Sequence, residues 1–284
     1  MDGDAGYRLS VLDKIRHKTS DLIGLGKAKA KEIYEYRNMI RSLVTRNLFG
    51  RYKNSYLGFA WNFVAPIIYL ILCYILFTEV RARSTDNYVL FLSSAIFVYN
   101  KLSRSITGGA SLFVSNAGMI KKMYFPREIL AIASAISTMI VTLIGSVLVF
   151  ILAGVTGYGY NPVALLLFPV ILILTFIFYV GCSLFFGSIS VYVRDVQYFM
   201  ASLSIAFFIC TPLRYMVDEA TGLLQTIVWI NPLTYFVEPL HQIFYVRAVP
   251  ELWMIGVEAL LSFGALVVGY LVFRKLKNRF VEKL

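Results

Sequence analysis

The sequence predicts an all-α integral membrane protein with six transmembrane helices. Its 284 residues are 58% hydrophobic and only 15% charged, with a mean hydropathy of +0.71. Soluble domains contain roughly 45–50% apolar and about 25% charged residues. Residues 129–193 include no Asp, Glu, Lys or Arg, and this length accommodates two helices of about 20 residues each. A soluble globular domain is therefore excluded.

Six segments poor in charge are long enough to form helices that cross a bilayer. Lys101 and Arg104 lie near the end of the second segment, where long basic side chains can extend toward the lipid headgroups. The predicted spans comprise residues 57–78, 88–107, 130–153, 163–188, 196–215 and 252–273.

The positions of the basic residues decide the meaning of the net charge of +11. With six spans and the N terminus inside, 23 of the 27 Lys and Arg residues fall in cytoplasmic segments. This excess is the positive-inside pattern, and it predicts that both termini are cytoplasmic. The basic character therefore indicates topology and contact with anionic membrane lipids, and we expect no nucleic-acid partner.

Two segments precede the six-span transmembrane domain at residues 57–284. Residues 1–30 form a polar cytoplasmic leader that lacks the apolar core of a signal peptide. Residues 31–56 predict an amphipathic interfacial helix, because apolar residues recur at every third or fourth position between basic ones. Simple anchoring and a gating or partner-contacting role are both open for this helix.

The outer segment at residues 216–250 contains apolar pieces that are too short to span the membrane and are interrupted by Pro. We expect these pieces to dip into the bilayer as re-entrant half-helices before the last span, sheltered by protein. Its candidate functional residues are Asn231, Pro232 and Glu238.

The sequence has no P-loop, no HExxH and no GxSxG motif. Its two histidines, His17 and His241, lie on opposite sides of the membrane in the predicted topology. Its three cysteines form no CxxC pair. We therefore expect no catalytic residues, no metal site and no cofactor bound by this chain, so a transporter of this kind takes its energy from a partner.

Four segments resemble, in order and spacing, the permease subunits of type 2 ABC exporters of polysaccharides. They are RYKNSYLGFAW at 51–61, SNAGMIKKMYFPRE at 115–128, VRDV at 193–196 and INPL at 230–233, the last followed by Glu238. Exporters of this family move O-antigen, capsule or teichoic acid. The resemblance extends from about Leu43 to the C terminus.

The resemblance implies a multi-pass protein of the prokaryotic plasma (inner) membrane that pairs with a second copy of itself. It also implies two copies of a cytoplasmic ABC ATPase subunit, which would bind ATP and Mg, and a lipid-linked glycan as substrate. The family docks its ATPase on the longest internal cytoplasmic loop, which here contains Lys121, Lys122, Tyr124, Phe125, Pro126 and Arg127.

The same resemblance places the amphipathic helix near the substrate entrance, where guanidinium groups could contact the phosphates of a lipid carrier. The candidates are Arg37, Arg41 and Arg51. Aromatic faces are suitable surfaces for sugar rings, although they also fill cores. The candidate channel aromatics are Tyr69, Tyr74, Phe77, Tyr99, Phe207 and Phe208.

Other functions remain open at the level of the sequence. The chain could serve an ABC type 2 exporter of a small drug or lipid. It could also be a stand-alone membrane enzyme that modifies glycans, or a membrane scaffold. An enzyme would act without any ATPase partner, whereas an exporter would not.

Overall fold

The computed structural model describes residues 31–50, 55–80 and 87–284, and in these residues the secondary structure is helical, without β-strands. The predicted leader at residues 1–30 lies outside this part of the chain, as do Arg51 and the side chains of Tyr74 and Phe77. The predicted all-α class is confirmed.

The helices are numbered here along the chain. They are α1 (Arg37–Phe49), α2 (Trp61–Val80), α3 (Tyr88–Ser115), α4 (Ala117–Lys122), α5 (Glu128–Val155), α6 (Pro162–Leu165), α7 (Phe168–Tyr192), α8 (Asp195–Cys210), α9 (Gly222–Ile230), α10 (Thr234–His241), α11 (Leu252–Leu276) and α12 (Phe280–Lys283).

Three stretches of the described residues are long and apolar enough to cross a membrane, which makes this a multi-pass membrane protein. Two shorter apolar helices lie at Trp61–Leu72 and Asp195–Cys210. Helix α3 continues to Ser115, beyond the predicted end at residue 107, and its polar residues lower its hydropathy. The three long stretches are Glu128–Val155, Pro162–Tyr192 and Leu252–Lys283.

Helix α7 lies at the centre of the bundle and packs most extensively against α11 and α3. Gly181 of α7 and Gly269 of α11 face each other so closely that a Cβ at either position would overlap the backbone of the opposite helix. A Cβ at Gly109 of α3 would lie 2.8 Å from the Ser183 hydroxyl of α7. Small residues permit this approach, and in lipid such packing contributes much of the association between helices.

Aromatic rings close one end of the bundle, called the C-terminal end below. The ring of Phe280 lies 5.1 Å from that of Phe113 and 5.9 Å from that of Phe273, measured between centroids. All three side chains are buried. The Tyr192 hydroxyl donates to the Leu276 carbonyl at 2.9 Å. The C-terminal segment is thereby joined to α3, α7 and α11.

Helix α1 is amphipathic and packs against α5. Its Leu43 and Leu48 are buried, whereas Arg37, Arg41 and Arg46 on other faces are exposed. The apolar side of the predicted interfacial helix therefore contacts the protein itself. The opposite end of the bundle carries α9 and α10 and is called the hairpin end.

We expect Gly269→Ala to lower the melting temperature of the detergent-solubilised protein by several degrees, because the new Cβ would push α11 away from α7. The matched control is Gly264→Ala in the same helix, where no atom lies within 4 Å of the added Cβ. This control should keep or slightly raise the melting temperature, since Ala favours helix more than Gly does. Equal melting temperatures for the two variants would contradict the close packing.

Candidate functional site

A polar groove of about 580 Å³ lies between α1, α3 and α5. Helix α3 contributes Lys101, Arg104, Ser111 and Ser115, which recur at intervals of three, seven and four residues and so share one face. Asn62 at the start of α2 and Tyr179 of α7 complete the lining. The groove is therefore walled on its α3 side by a continuous polar stripe.

The α5 side of the groove carries the hydroxyl groups of Ser134, Ser137 and Thr138 among apolar side chains. Ser137 and Thr138 donate to the carbonyl groups one turn earlier, at 2.7 and 2.9 Å. Ser134 and the Tyr179 hydroxyl lie 2.6 Å apart, and either can donate to the other. These bonds hold the hydroxyls in fixed positions, and the α5 side of the groove is uncharged.

The charge of the groove is entirely positive. Lys101, Arg104 and Arg46 line it, and none of its lining residues described here is Asp or Glu. Lys101 is only 7% exposed. The Arg46 guanidinium donates to the Asn116 side-chain carbonyl at 2.7 Å, which fixes it beside the junction of α3 and α4. The arrangement suits an anionic group with several acceptor oxygens.

The basic residues selected from the sequence lie elsewhere. Arg37 and Arg41 are exposed on α1 and do not line the groove. Arg37 instead contacts Tyr34, with its guanidinium 5.0 Å from the ring centroid. Sequence reasoning treated Lys101 and Arg104 only as residues at the end of a span. Their spacing with Ser111 and Ser115 was the signal that would have identified the polar face.

The loop predicted to couple to an ATPase divides into an exposed part and an anchored part. Lys121, Lys122 and Tyr124 are exposed, and Tyr124 is completely so at 100%. Phe125 and Pro126 are buried at the C-terminal end of the bundle. The buried pair holds the exposed residues in one position.

The anchored part is also fastened to the C-terminal segment. Arg127 donates to the Lys277 carbonyl, and its guanidinium lies 5.5 Å from the centroid of the Phe280 ring. The neighbouring carboxylate of Glu128 forms an ion pair with the Lys277 ammonium at 3.6 Å. The start of α5 and the end of α11 therefore form one unit beneath the exposed residues of the loop.

Three of the predicted channel aromatics cluster together. The Phe208 ring lies 5.6 Å from that of Tyr99 and 6.0 Å from that of Tyr69. The Arg214 guanidinium lies 4.9 Å from the Phe208 centroid. Tyr99 is 1% exposed and belongs to the interior of the protomer. Phe207 lines a separate apolar groove of about 430 Å³ between α7, α8 and α11.

At the hairpin end, α9 and α10 are joined by a tight turn around Asn231 and Pro232. The Asn231 amide donates to the Thr211 hydroxyl at 2.8 Å, and its side-chain carbonyl accepts from the Leu233 amide at 3.0 Å. The Thr234 hydroxyl donates to the Val228 carbonyl at 2.7 Å. These bonds satisfy polar groups at the point where the two short helices meet.

Glu238 of α10 faces a small cavity of about 280 Å³ that also contains Asp218, His241 and Glu251. Burial raises the pKa of Glu238 to about 7, and the nearby carboxylates of Asp218 and Glu251 add to the increase. Burial also lowers the pKa of His241 to about 4. Among the described residues, no three His, Cys, Asp or Glu side chains lie together in a way that could hold a metal ion.

His241 ties α10 to the rest of the bundle. One ring nitrogen, Nε2, lies 3.0 Å from the Pro212 carbonyl, and the other lies 2.9 Å from the Ser94 hydroxyl of α3. A carbonyl oxygen only accepts, so Nε2 carries the proton. The ring also stacks on Phe91 at 4.1 Å. The hairpin is thus fixed to α3 by a buried residue.

This arrangement of helices belongs to a known family of membrane proteins. The family model described as ABC-2 type transporter matches residues 38–245. The chain belongs to the ABC-2 type transporter family. The matched region contains α2 through α10 and all but the first residue of α1, and so includes the polar groove, the exposed α4 loop and the helical hairpin.

Curated relatives are similar over most of the chain. An O-antigen export system permease protein RfbA from Myxococcus xanthus is 27% identical over 259 residues, covering 89% of this chain and 98% of the relative. Two proteins of the same name from Klebsiella pneumoniae are 29% and 28% identical, each covering 85% of this chain and 93% of the relative. The ABC-2 chain is therefore similar to these permeases along almost their entire length.

We expect Glu238→Gln to raise the melting temperature relative to the unmodified protein by a few degrees at pH 8 and by less at pH 5. The folded state holds the Glu238 proton up to a pKa of about 7, whereas the ordinary value is about 4.3. The contribution of Glu238 to the stability of the folded state is therefore fully present below about pH 4.3 and is lost as the pH rises toward 7.

Gln cannot ionise, so the Glu238→Gln variant does not lose stability at this position as the pH rises. His241 has a lowered pKa and changes stability with pH in the opposite direction, but it does so equally in both proteins. Glu282→Gln, at an exposed position of α12, should give the same difference at both pH values. A pH-independent difference for Glu238→Gln, measured by thermal unfolding in detergent, would show that Glu238 is not held in its neutral form.

Proposed function

We propose that this chain is the membrane-spanning permease subunit of an ATP-driven exporter that moves a lipid-linked polysaccharide of the O-antigen type. Transport would proceed from the cytoplasmic side across the prokaryotic plasma membrane. The observation that carries the proposal is the similarity to permeases named for O-antigen export, which extends over 85–89% of the chain.

The proposed topology has six spans with both termini in the cytoplasm, formed by α2, α3, α5, α7, α8 and α11. Helix α3 has 28 residues and α8 has 16, which give lengths of about 42 and about 24 Å at 1.5 Å per residue. A bilayer core is about 30 Å thick, so α8 needs the following residues to complete its crossing. The short helices α9 and α10 would be the re-entrant pair.

Energy would come from two copies of a cytoplasmic ABC ATPase subunit that binds ATP and Mg. Lys121, Lys122 and Tyr124 form the proposed docking surface, since they are exposed on a loop with a buried base. Phe125, Pro126 and Arg127 would position that surface. A second copy of the chain would complete the membrane domain.

The substrate route in this proposal begins at α1 and continues past aromatic side chains between the two copies. Arg37, Arg41 and Arg51 would contact lipid phosphates at the entrance. Tyr69, Tyr74, Phe77, Phe207 and Phe208 remain the proposed aromatic contacts for sugar rings, and buried Tyr99 would support Phe208 from within the protomer.

Deletion of this chain in its native organism should abolish surface polysaccharide and leave lipid-linked glycan on the cytoplasmic side of the membrane. The measurement is surface glycan by gel staining or specific antibody, with complementation by the intact gene as control. Undiminished surface glycan in a clean deletion would refute the proposed function and favour export of a drug or small lipid.

Tagged chain from gently solubilised native membranes should retain a P-loop ATPase in equal amount, and Lys122→Glu combined with Tyr124→Ala should lose most of it. The reason is that the substitutions reverse one charge and remove one exposed aromatic ring. Tyr56→Ala, another fully exposed tyrosine outside the α4 loop, is the matched control and should keep the ATPase. Recovery of the chain alone in every case would instead favour a stand-alone enzyme or scaffold.

A further inference from the structure

The cavity at the hairpin end encloses a carboxyl oxygen that makes no hydrogen bond. The Oε2 atom of Glu238 is buried and has no hydrogen-bond partner in the described part of the chain. Burial of an ionised carboxylate is costly unless a hydrogen bond, an opposite charge or water compensates it. None of the described residues that line this cavity of about 280 Å³ is Lys or Arg. The closed cavity therefore favours the neutral form of Glu238.

Four other titratable residues of the described lining face Glu238, and they come from the outer segment and the start of α11. Helix α3 contributes only the apolar Phe91 to this lining. The four are Asp218 on the 3₁₀ turn Val217–Glu219, His241 at the end of α10, Tyr245 on the π-helical turn Gln242–Val246, and Glu251 before α11. Glu238 thus faces titratable groups from every element of the cavity except α3.

Glu238 is the carboxyl group of this cavity whose charge changes near neutral pH. Burial, and then the carboxylates of Asp218 and Glu251, raise the pKa of Glu238 to about 7. Asp218 and Glu251 are exposed, and water screens exposed charges, so burial has the larger effect. Burial lowers the pKa of His241 to about 4, so its ring is neutral at higher pH.

The segment at residues 242–251 covers the cavity through a strained turn. The π-helical turn Gln242–Val246 leads into Arg247, whose backbone is left-handed at a φ of 61°. This conformation costs free energy for a residue with a Cβ, and π-helical turns are frequent at functional sites. The Gln242 side-chain oxygen accepts from the Glu251 amide at 3.1 Å, and its backbone carbonyl accepts from the Ala248 amide at 2.9 Å. Closure of this segment therefore depends on bonds to Gln242.

Helix α10 is held more firmly than the residues that cover its carboxyl group. His241 contacts the Ser94 hydroxyl of α3 and the Pro212 carbonyl, at 2.9 and 3.0 Å. By contrast, Asp218, Val246 and Val249 on the rim of the cavity are exposed. Residues 217–219 and 242–251 are called the outer cover below. A change of charge inside the cavity therefore displaces the outer cover more readily than α10.

We infer that the hairpin end is a proton-dependent switch: the outer cover closes on α10 when Glu238 carries its proton, and loss of that proton loosens the cover. An ionised Glu238 requires water, and water reaches it when the outer cover moves away from α10. The like charges of Asp218 and Glu251 act in the same direction. The inference takes from the proposed function only the outer location of the hairpin, which exposes the switch to the external pH.

The test measures amide hydrogen exchange of the full chain in nanodiscs at pH 5 and pH 8, by mass spectrometry. Each rate is divided by the intrinsic exchange rate at that pH, which gives an opening constant for each peptide. The ratio of the opening constants of residues 242–251 in the unmodified protein and in Glu238→Gln should rise by at least about fivefold from pH 5 to pH 8. Gln cannot ionise, and both proteins contain His241, so the ratio isolates Glu238.

Two further variants separate this effect from general loss of structure. Glu282→Gln, at an exposed position of α12, should open like the unmodified protein at both pH values. Asp218→Asn removes one neighbouring negative charge and should reduce the rise without abolishing it. A ratio that is the same at both pH values would overturn the inference. An equal rise in the peptides of α7 would also overturn it, because the whole bundle would then be loosening.

The exchange measurement requires neither an ATPase nor export. Undiminished surface glycan in the deletion strain would therefore remove the proposed function alone. An outer cover whose opening does not depend on Glu238 would remove the proton-dependent switch alone.

Discussion

The close approach of α7 to both α3 and α11 is the constraint on which the rest of the bundle depends. Lipid tails are as apolar as the helices, so burial of apolar surface provides little attraction between helices. Gly181, Gly269 and Gly109 instead bring backbones into contact along α7. Once α3 and α11 are fixed on α7, the chain ends that follow them are fixed as well. These are α4 after α3, and α12 after α11.

The bilayer core contains no water, so polar side chains in the bundle need hydrogen-bond partners within the protein. Many serine and threonine hydroxyls in the described helices donate to a carbonyl one turn earlier in their own helix, as Ser105 and Ser188 do, and so need no other partner. Glu258 is different, because it is fully buried and neither carboxylate oxygen has a hydrogen-bond partner in the described part of the chain. Lys101 is a third case, because this buried cation lines a polar groove. The groove brings the cationic side chains of Lys101, Arg104 and Arg46 together with uncharged polar groups.

The sequence was sufficient for properties that depend on composition and on local pattern. The helical class, the membrane location and the exposed α4 loop followed from apolar runs, charge positions and ordered motifs. The groove did not, because it needs three helices far apart in sequence to meet, and Arg46 reaches Asn116 across 70 positions. For the same reason the buried position of Phe125 beside exposed Tyr124 could not be read from a loop sequence. Burial of Tyr99 likewise depends on its contacts with α8.

The groove and the α4 loop are mechanically connected through Asn116. This residue lies at the junction of α3 and α4, its amide donates to the Leu112 carbonyl at 2.8 Å, and its side-chain oxygen accepts from Arg46. Asn116 and its partner Arg46 both line the groove, so the start of α4 lies directly beside it. The other end of the loop is held by Arg127 and the C-terminal segment. Because Arg127 holds the far end of the loop, the junction at Asn116 is the direct structural link between α4 and the groove.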